Sequence, residues 1–322
     1  MNADPILTIE DLHLRIRQFE GEAHILNGVS LHLGAGERVA LVGESGCGKS
    51  STALIAMGLM NGGNMSIDGR VTLEGTDLLG LGERGWRNVR GRQISMVFQD
   101  PGAALNPVFT VGDQLVTAIR RGDPGTSRAE AHERAAEALR HVHIVDAERV
   151  LASYPFQLSG GLNQRILITM ALVNRPRVVV ADEPGSALDV TVQEQTLRLM
   201  KALTDEVGAA VLLITHNLGV VRTFAQRVYV MYSGTIVEEA ETARLFEAPR
   251  HPYTQALLAA VPRLTGEGLP QPIPGQVPDY TDPPVGCRFQ PRCPHARAAC
   301  GNPPFAEPEP GHRVRCVLDF GN

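Results

Sequence analysis

The sequence has little that would take it through a membrane, onto nucleic acid or out of the cell. No window of its 322 residues approaches the ~18 consecutive apolar residues of a membrane span, which leaves peripheral contact as the expected relation to a bilayer. The N-terminal Met1-Asn2-Ala3-Asp4-Pro5 lacks the basic-then-apolar layout of a secretory leader. Lys and Arg number 30 against 35 Asp and Glu, a net charge of −5, so the electrostatic footprint of a nucleic-acid binder is missing. No heptads or long coiled-coil insertions are present either. Cysteine is scarce until the end: Cys47 stands alone, whereas Cys287, Cys293, Cys300 and Cys316 crowd into the last stretch of the chain. These absences leave a cytoplasmic globular protein of ordinary make-up, 43% hydrophobic and 20% charged. Its length suits two domains, and a cytosolic cysteine cluster of this kind is expected to bind metal rather than form disulfides.

What is present is a phosphate-binding pattern. Gly43-Glu44-Ser45-Gly46-Cys47-Gly48-Lys49-Ser50 fits G-x-x-x-x-G-K-[ST]. Arg38 to Val42 before it has strand character, and Ser51 to Met60 after it is rich in Ala, Leu, Ile and Met and reads as helix. A strand, a glycine loop and a helix N-terminus make an anion cradle from converging backbone N–H groups and the helix dipole. Lys49 is then expected to reach the β- and γ-phosphates and the Ser50 hydroxyl to ligate Mg²⁺. The chain binds a nucleotide on this reading, with Cys47 as a space-filling loop residue rather than a redox switch.

The rest of the chain supplies company for that loop. Ile6 to Arg17 and His24 to Leu33 alternate as strands of a β-rich segment over the nucleotide. Between them Phe19 either stacks on an adenine or joins the core. Gly69 to Leu73 and Ile94 to Phe98 are further strands, and the second delivers Gln99 to a strand end, where it can complete a Mg²⁺ shell or hold the attacking water. From Thr110 to about Ala152 helical periodicity replaces the strand signal, as in a helical insertion into an α/β core. Ser159-Gly160-Gly161 opens a helix over Leu162 to Val173 and forms a second anion site. Arg177 to Asp182 is a buried strand ending in Asp182 and Glu183, on the sheet edge where parallel α/β folds bind ligands. Asp182 would hold Mg²⁺ through water, and Glu183 would polarise a water against the γ-phosphate. Ala210 to Thr215 brings His216 to the same edge as a γ-phosphate contact.

These stretches together resemble the ATPase subunit of ABC transporters. The Walker A loop is Gly43 to Ser50, continued by Ser51; the Q-loop glutamine is Gln99; the signature is Leu158-Ser159-Gly160-Gly161-Leu162; the Walker B carboxylates are Asp182 and Glu183; the D-loop runs from Ser186 to Asp189; and the switch histidine is His216. All stand in family order across residues 6–240. The resemblance implies an α/β P-loop NTPase fold with a β-rich N-terminal subdomain and a helical subdomain at about 104–174, all within an ATPase domain of residues 1–250. It implies ATP and Mg²⁺ as ligands, with Glu183, His216 and Gln99 catalytic and Ser50, Gln99 and Asp182 around the metal. It further implies a head-to-tail dimer in which Ser159, Gly160 and Gly161 serve the nucleotide bound to the partner's Walker A loop, with Asp189 of the D-loop also at the nucleotide, and a membrane permease whose coupling helices dock near Leu105-Asn106-Pro107. Two positions depart from the pattern: Leu162 stands for the usual Gln, and Gly185 for a usual Thr or Ser.

The remainder, 251–322, narrows the resemblance. His251-Pro252-Tyr253-Thr254-Gln255-Ala256-Leu257-Leu258 is similar to the extension of oligopeptide, dipeptide and nickel importer ATPases. Pro262 to Pro284 follows, too proline-interrupted for helix or central strand. The four cysteines are spaced C-x₅-C-x₆-C-x₁₅-C, without the paired C-x₂-C knuckles of a zinc ribbon. They could close a tetrahedral zinc site or hold a [4Fe–4S] cluster; the resemblance implies the cluster, with Zn²⁺ as the alternative. It also implies peptide import, or import of nickel or another small solute. The implied partners are two permease subunits, a paralogous second ATPase and an extracytoplasmic substrate-binding protein, at the cytoplasmic face of the bacterial inner membrane.

Overall fold

The computed structural model describes residues 5–186, 188–261, 272–301 and 303–318. The expected leaderless start (Met1 to Asp4), part of the proline-interrupted segment (262–271) and Ala187 of the D-loop lie outside them. Twelve strands run in chain order among the described residues: β1 (Leu7–Gln18), β2 (Gly21–Leu33), β3 (Arg38–Val42), β4 (Met65–Leu73), β5 (Thr76–Asp77), β6 (Ile94–Val97), β7 (Val178–Asp182), β8 (Ala210–Thr215), β9 (Arg227–Tyr232), β10 (Thr235–Glu241), β11 (Phe305–Glu309) and β12 (His312–Arg315). The chain divides into two compact units.

The first unit comprises Met1–Ile6, Gly34–Glu37 and Gly80–Leu213. Strands β8, β7 and β6 are neighbours in that order, with β6 and β7 parallel in the register Ile94↔Val178 to Val97↔Ala181. Every residue of β7 and β8 is buried, which is why both read as unbroken apolar runs rather than alternating ones. The expected helical stretch is the three helices Val111–Gly122, Arg128–His141 and Ala147–Ala152. Thr110 and Ser127 cap the first two, accepting from Asp113 N at 3.1 Å and Glu130 N at 3.2 Å. Val111, Leu115, Ile119, Leu139 and Leu151 form their common core with Ile166 of the helix Gly160–Leu172. Asn174 ties the base of this bundle through Nδ2 bonds to Gly91 O (3.0 Å) and Ala118 O (2.9 Å).

The second unit comprises Leu7–Leu33, Arg38–Leu79 and Ile214–Asn322. One sheet has the order β2-β1-β4-β5, its long strands antiparallel. The hairpin of β1 and β2 turns on Phe19 and Glu20 alone. Strands β11, β12, β10, β9 and β3 are neighbours in that order, with β3 and β9 parallel and β10 antiparallel to both β9 and β12. The C-terminal segment is thus part of this unit: β12 extends the sheet past β10, and the helix Pro252–Ala259 sends Tyr253 into a core with Tyr232 and Phe289. Those three rings meet at centroid distances of 4.6–5.4 Å, a spacing that suits tilted and edge-on aromatic contacts.

Candidate nucleotide site

The phosphate loop links β3 to the helix Lys49–Ala56. Two of its glycines are required by space and conformation together. A Cβ on Gly43 (φ +154) would sit 2.1 Å from Met231 O, and one on Gly48 (φ +106), the helix N-cap, would sit 2.6 Å from Leu26 Cδ2. Lys49 is 6% exposed. Its Nζ donates to Gly43 O at 2.8 Å and Glu44 O at 3.0 Å, so the ammonium lies across the mouth of the loop. Ser45, Gly46 and Ser50 face outward, and Ser51 is half-buried. Cys47 is 2% exposed; burial pushes its thiol pKa up, against the opposing pull of Lys49. A buried neutral thiol is an inert filler, as expected for this position.

The first unit holds a second group of the expected residues. Asp182, 8% exposed, ends β7, and Glu183 follows with φ +47. A left-handed non-glycine residue of this kind is held against its own preference by its surroundings. The turn closes with Ser186 N donating to Glu183 O (3.1 Å) and Leu188 N to Gly185 O (3.0 Å). Gly185 has φ +86, which accounts for glycine where the family pattern has Thr or Ser: a Cβ would be strained here. Asp189 caps the helix Val190–Val207, accepting from Val192 N at 3.0 Å. Ser159 caps Gly160–Leu172, accepting from Leu162 N at 3.4 Å; Ser159 and Gly160 are exposed and Gly161 half-exposed. Gln99 is exposed two residues past β6.

The second unit carries the remaining expected residues besides the loop. His216 is exposed immediately after β8, in a turn where Thr215 Oγ1 accepts from Asn217 N at 3.0 Å. Phe19 is fully exposed at the tip of the β1–β2 hairpin, where its ring has a free face rather than a place in the core.

Three side chains that sequence reasoning did not assign to the loop also reach it. The Tyr253 hydroxyl accepts from Glu44 N at 2.8 Å, the Tyr280 hydroxyl donates to Gly46 O at 2.8 Å, and Arg292 forms a two-pronged ion pair with the Glu44 carboxylate (2.8 and 3.2 Å). These partners lie 209 to 248 positions apart in sequence. No local signal could have paired them.

Cys287, Cys293, Cys300 and Cys316 line one small cavity together with His251 and His295. Burial pushes the Cys287 thiol up to about 11, and the other three cysteines push the same way against the Phe289 N–H bond to its sulfur. Burial also raises Cys293 and Cys316, opposed by N–H bonds from His295 and from Leu318 and Val317. Among the described residues no three His, Cys, Asp or Glu side chains are arranged to hold a single metal ion. The donor set around the cavity is four thiols, the ligand type of iron–sulfur and zinc–thiolate sites, with N–H donors at three of the sulfurs.

Comparison with known proteins fits this geometry. Residues 26–186 match the family model described as ABC transporter, and residues 237–300 match Oligopeptide/dipeptide transporter, C-terminal region. The chain belongs to the ABC transporter ATPases. This ATPase is 47% identical over 320 residues to the probable peptide ABC transporter ATP-binding protein y4tR of Sinorhizobium fredii, covering 98% of this chain and 95% of the relative. It is 44% identical over 318 residues (97% and 96%) to the probable D,D-dipeptide transport ATP-binding protein DdpD of Escherichia coli. With the oligopeptide transport ATP-binding protein OppD of Salmonella typhimurium it shares 43% over 316 residues (98% and 94%). Among solved structures, the ATP-binding cassette MJ0796 in a dimeric post-hydrolysis state bound to ADP and Pi aligns at 28% identity and TM-score 0.65, over 73% of this chain and 98% of that one. The resemblance read from the motifs therefore holds for the family, the fold and the ATPase activity. No helix among the described residues is long and apolar enough to cross a membrane.

Proposed function

We propose that this ATPase powers a bacterial importer of peptides, working as a peripheral subunit on the cytoplasmic face of the inner membrane. The observation that carries the reading is the C-terminal segment, whose match to the oligopeptide/dipeptide type is built into the core of the ATP-binding unit through Tyr253 and Phe289. Relatives named for peptide and dipeptide transport over nearly the whole chain favour peptides above nickel or other small solutes.

In the reaction the loop from Gly43 to Ser51 wraps the triphosphate with its N–H groups, and Lys49 turns from Gly43 O and Glu44 O to the β- and γ-phosphate oxygens. Ser50, Gln99 and Asp182 supply oxygens suited to Mg²⁺, which when bound offsets charge on the transferring phosphoryl group. Glu183 orients a water and accepts its proton as the water oxygen bonds to the γ-phosphorus and ADP departs; His216 steadies the released phosphate. Phe19 offers its free face to the adenine. Ser159, Gly160, Gly161 and Asp189 serve the nucleotide of a second, paralogous ATPase across a head-to-tail dimer. Closure and reopening of that dimer drive two permease subunits supplied by an extracytoplasmic binding protein. Exposed apolar side chains on the first unit support permease docking: Val108 and Phe109 in one segment and the stacked rings of Tyr154 and Phe156 in another, the two segments joined by Val111 N donating to Ser153 O at 2.9 Å.

Purification from detergent-solubilised membranes, followed by reconstitution with the co-purifying subunits, tests this reading. Peptide-loaded binding protein should stimulate ATP hydrolysis and nickel should not; stimulation by nickel alone, or copurification with ribosomes instead of permeases, would refute it. The four cysteines hold a [4Fe–4S] cluster on the same proposal, with Zn²⁺ as the alternative occupant. Anaerobically purified protein should carry about four irons and four acid-labile sulfides per chain, and Cys300→Ser should lose them while the ATPase unit stays folded. Zinc without sulfide would exclude the cluster.

A further inference from the structure

Arg292 is 8% exposed, and each of its five N–H donors is engaged. Nε donates to Pro274 O (2.8 Å), Nη2 to Ile273 O (3.1 Å) and Glu44 Oε1 (3.2 Å), and Nη1 to Glu44 Oε2 (2.8 Å) and the Tyr232 hydroxyl (3.3 Å). A guanidinium fixed this completely is a preformed socket for one carboxylate. The carboxylate it receives belongs to the second residue of the phosphate loop. Glu44 is an electrostatic liability there, because it puts a negative charge into a site whose ligand is polyanionic. The ion pair cancels that charge and holds the side chain turned into the C-terminal segment.

Two hydroxyls of the same segment fix the loop's backbone. Tyr253 takes up the Glu44 N–H, and Tyr280 holds the Gly46 carbonyl, which sets the plane of the Gly46–Cys47 peptide because carbonyl and N–H of one peptide are coplanar and opposed. Tyr280 is itself anchored, since its carbonyl accepts from His24 N at 2.7 Å.

We propose that the C-terminal segment is a working part of the ATP site: Arg292, Tyr253 and Tyr280 are positioning residues that neutralise Glu44 and preset the phosphate loop for nucleotide. The proposal rests on the loop's role in ATP binding and goes beyond it by making a segment more than 200 positions away a determinant of affinity. It also gives that segment a function independent of whether its cysteines are loaded, although Arg292 adjoins Cys293 and would feel any change there.

Full-length wild-type chain and variants should be titrated with ATP, alongside thermal midpoints and steady-state kinetics. Wild-type binding and its loss in Lys49→Ala establish the loop as the ATP site separately from the clamp. Arg292→Gln should weaken ATP binding about tenfold, the scale of a hydrogen-bonded ion pair, with KM rising and kcat within about twofold. The decisive variant is Arg292→Gln combined with Glu44→Gln. Removing the stranded carboxylate should restore most of the affinity, a rescue that a merely structural arginine would not show. ATP affinity within about twofold of wild type in Arg292→Gln, or no rescue in the double variant, overturns the proposal. Should Arg292→Gln fail to fold, Tyr280→Phe decides, since it removes one hydroxyl. About threefold weaker ATP binding at an unchanged thermal midpoint supports the clamp, on the scale of one neutral hydrogen bond, and unchanged binding refutes it.

Discussion

The phosphate loop and the signature turn are chemically alike and physically unlike. Each is a serine- and glycine-bearing segment leading into a helix, Lys49–Ala56 in one case and Gly160–Leu172 in the other, and each offers N–H groups and the positive end of a helix dipole to an anion. The loop buries Gly43, Cys47, Gly48 and Lys49 and is tied from outside by two tyrosines and an arginine. The signature turn leaves Ser159 and Gly160 exposed and is fastened locally, by the 3.4 Å cap bond from Leu162 N to Ser159 Oγ, by Asn163 N donating to Ser159 O at 3.0 Å and by Asn163 Nδ2 donating to Pro155 O at 2.9 Å. A motif that is buried and cross-braced is a receptor finished within its own chain. One that is presented bare on a surface fits the proposed role of half a receptor, completed across the dimer.

The largest expected effect that sharpens this contrast comes from Glu183→Gln. Turnover should fall by about 10²–10⁴-fold, the range for loss of a general base, while ATP stays bound. A closed dimer should then accumulate on size-exclusion chromatography with ATP, capturing the signature turn with its ligand. Substantial residual hydrolysis would remove Glu183 from the role of base. A paired measurement on the isolated chain comes next. Lys49→Ala should weaken ATP affinity by about 10–100-fold, the cost of a charge-assisted contact, whereas Ser159→Arg should leave it within about twofold if, as proposed, the signature serves the partner's nucleotide and not its own chain's. Equal losses in the two variants would break the contrast altogether.

What could be read from the sequence was whatever is local. β8 begins and ends where its apolar run does, at Ala210 and Thr215, and the helices after Thr110 follow their caps and periodicity. Boundaries shifted where a single residue's backbone decided. The helix after the loop stops at Ala56, short of Met60, because Gly58 turns left-handed at φ +60. β4 starts at Met65, ahead of Gly69, because that glycine (φ +112) lets the strand pass where a Cβ would lie 2.5 Å from Asp11 O. The site motifs were legible because each is contiguous and its chemistry is written in residue type. The clamp on the loop was not: Glu44 reads as a variable position of the pattern, and nothing near it names Arg292, Tyr253 or Tyr280. Strands β11 and β12 were equally hidden, being short and set among prolines and cysteines.

Those two strands bear on solubility. β10 would be the rim of its sheet, with open N–H and C=O groups available to any passing strand. β12 covers it at Glu238↔Val314 and Glu239↔Arg313, and β11 then becomes the rim. Its sequence, Phe305-Ala306-Glu307-Pro308-Glu309, ends the ladder with two acids and a residue that has no N–H to offer. The C-terminal segment therefore finishes the sheet as a selvedge finishes cloth, and a chain cut after residue 260 would leave a raw edge prone to knit with its neighbours.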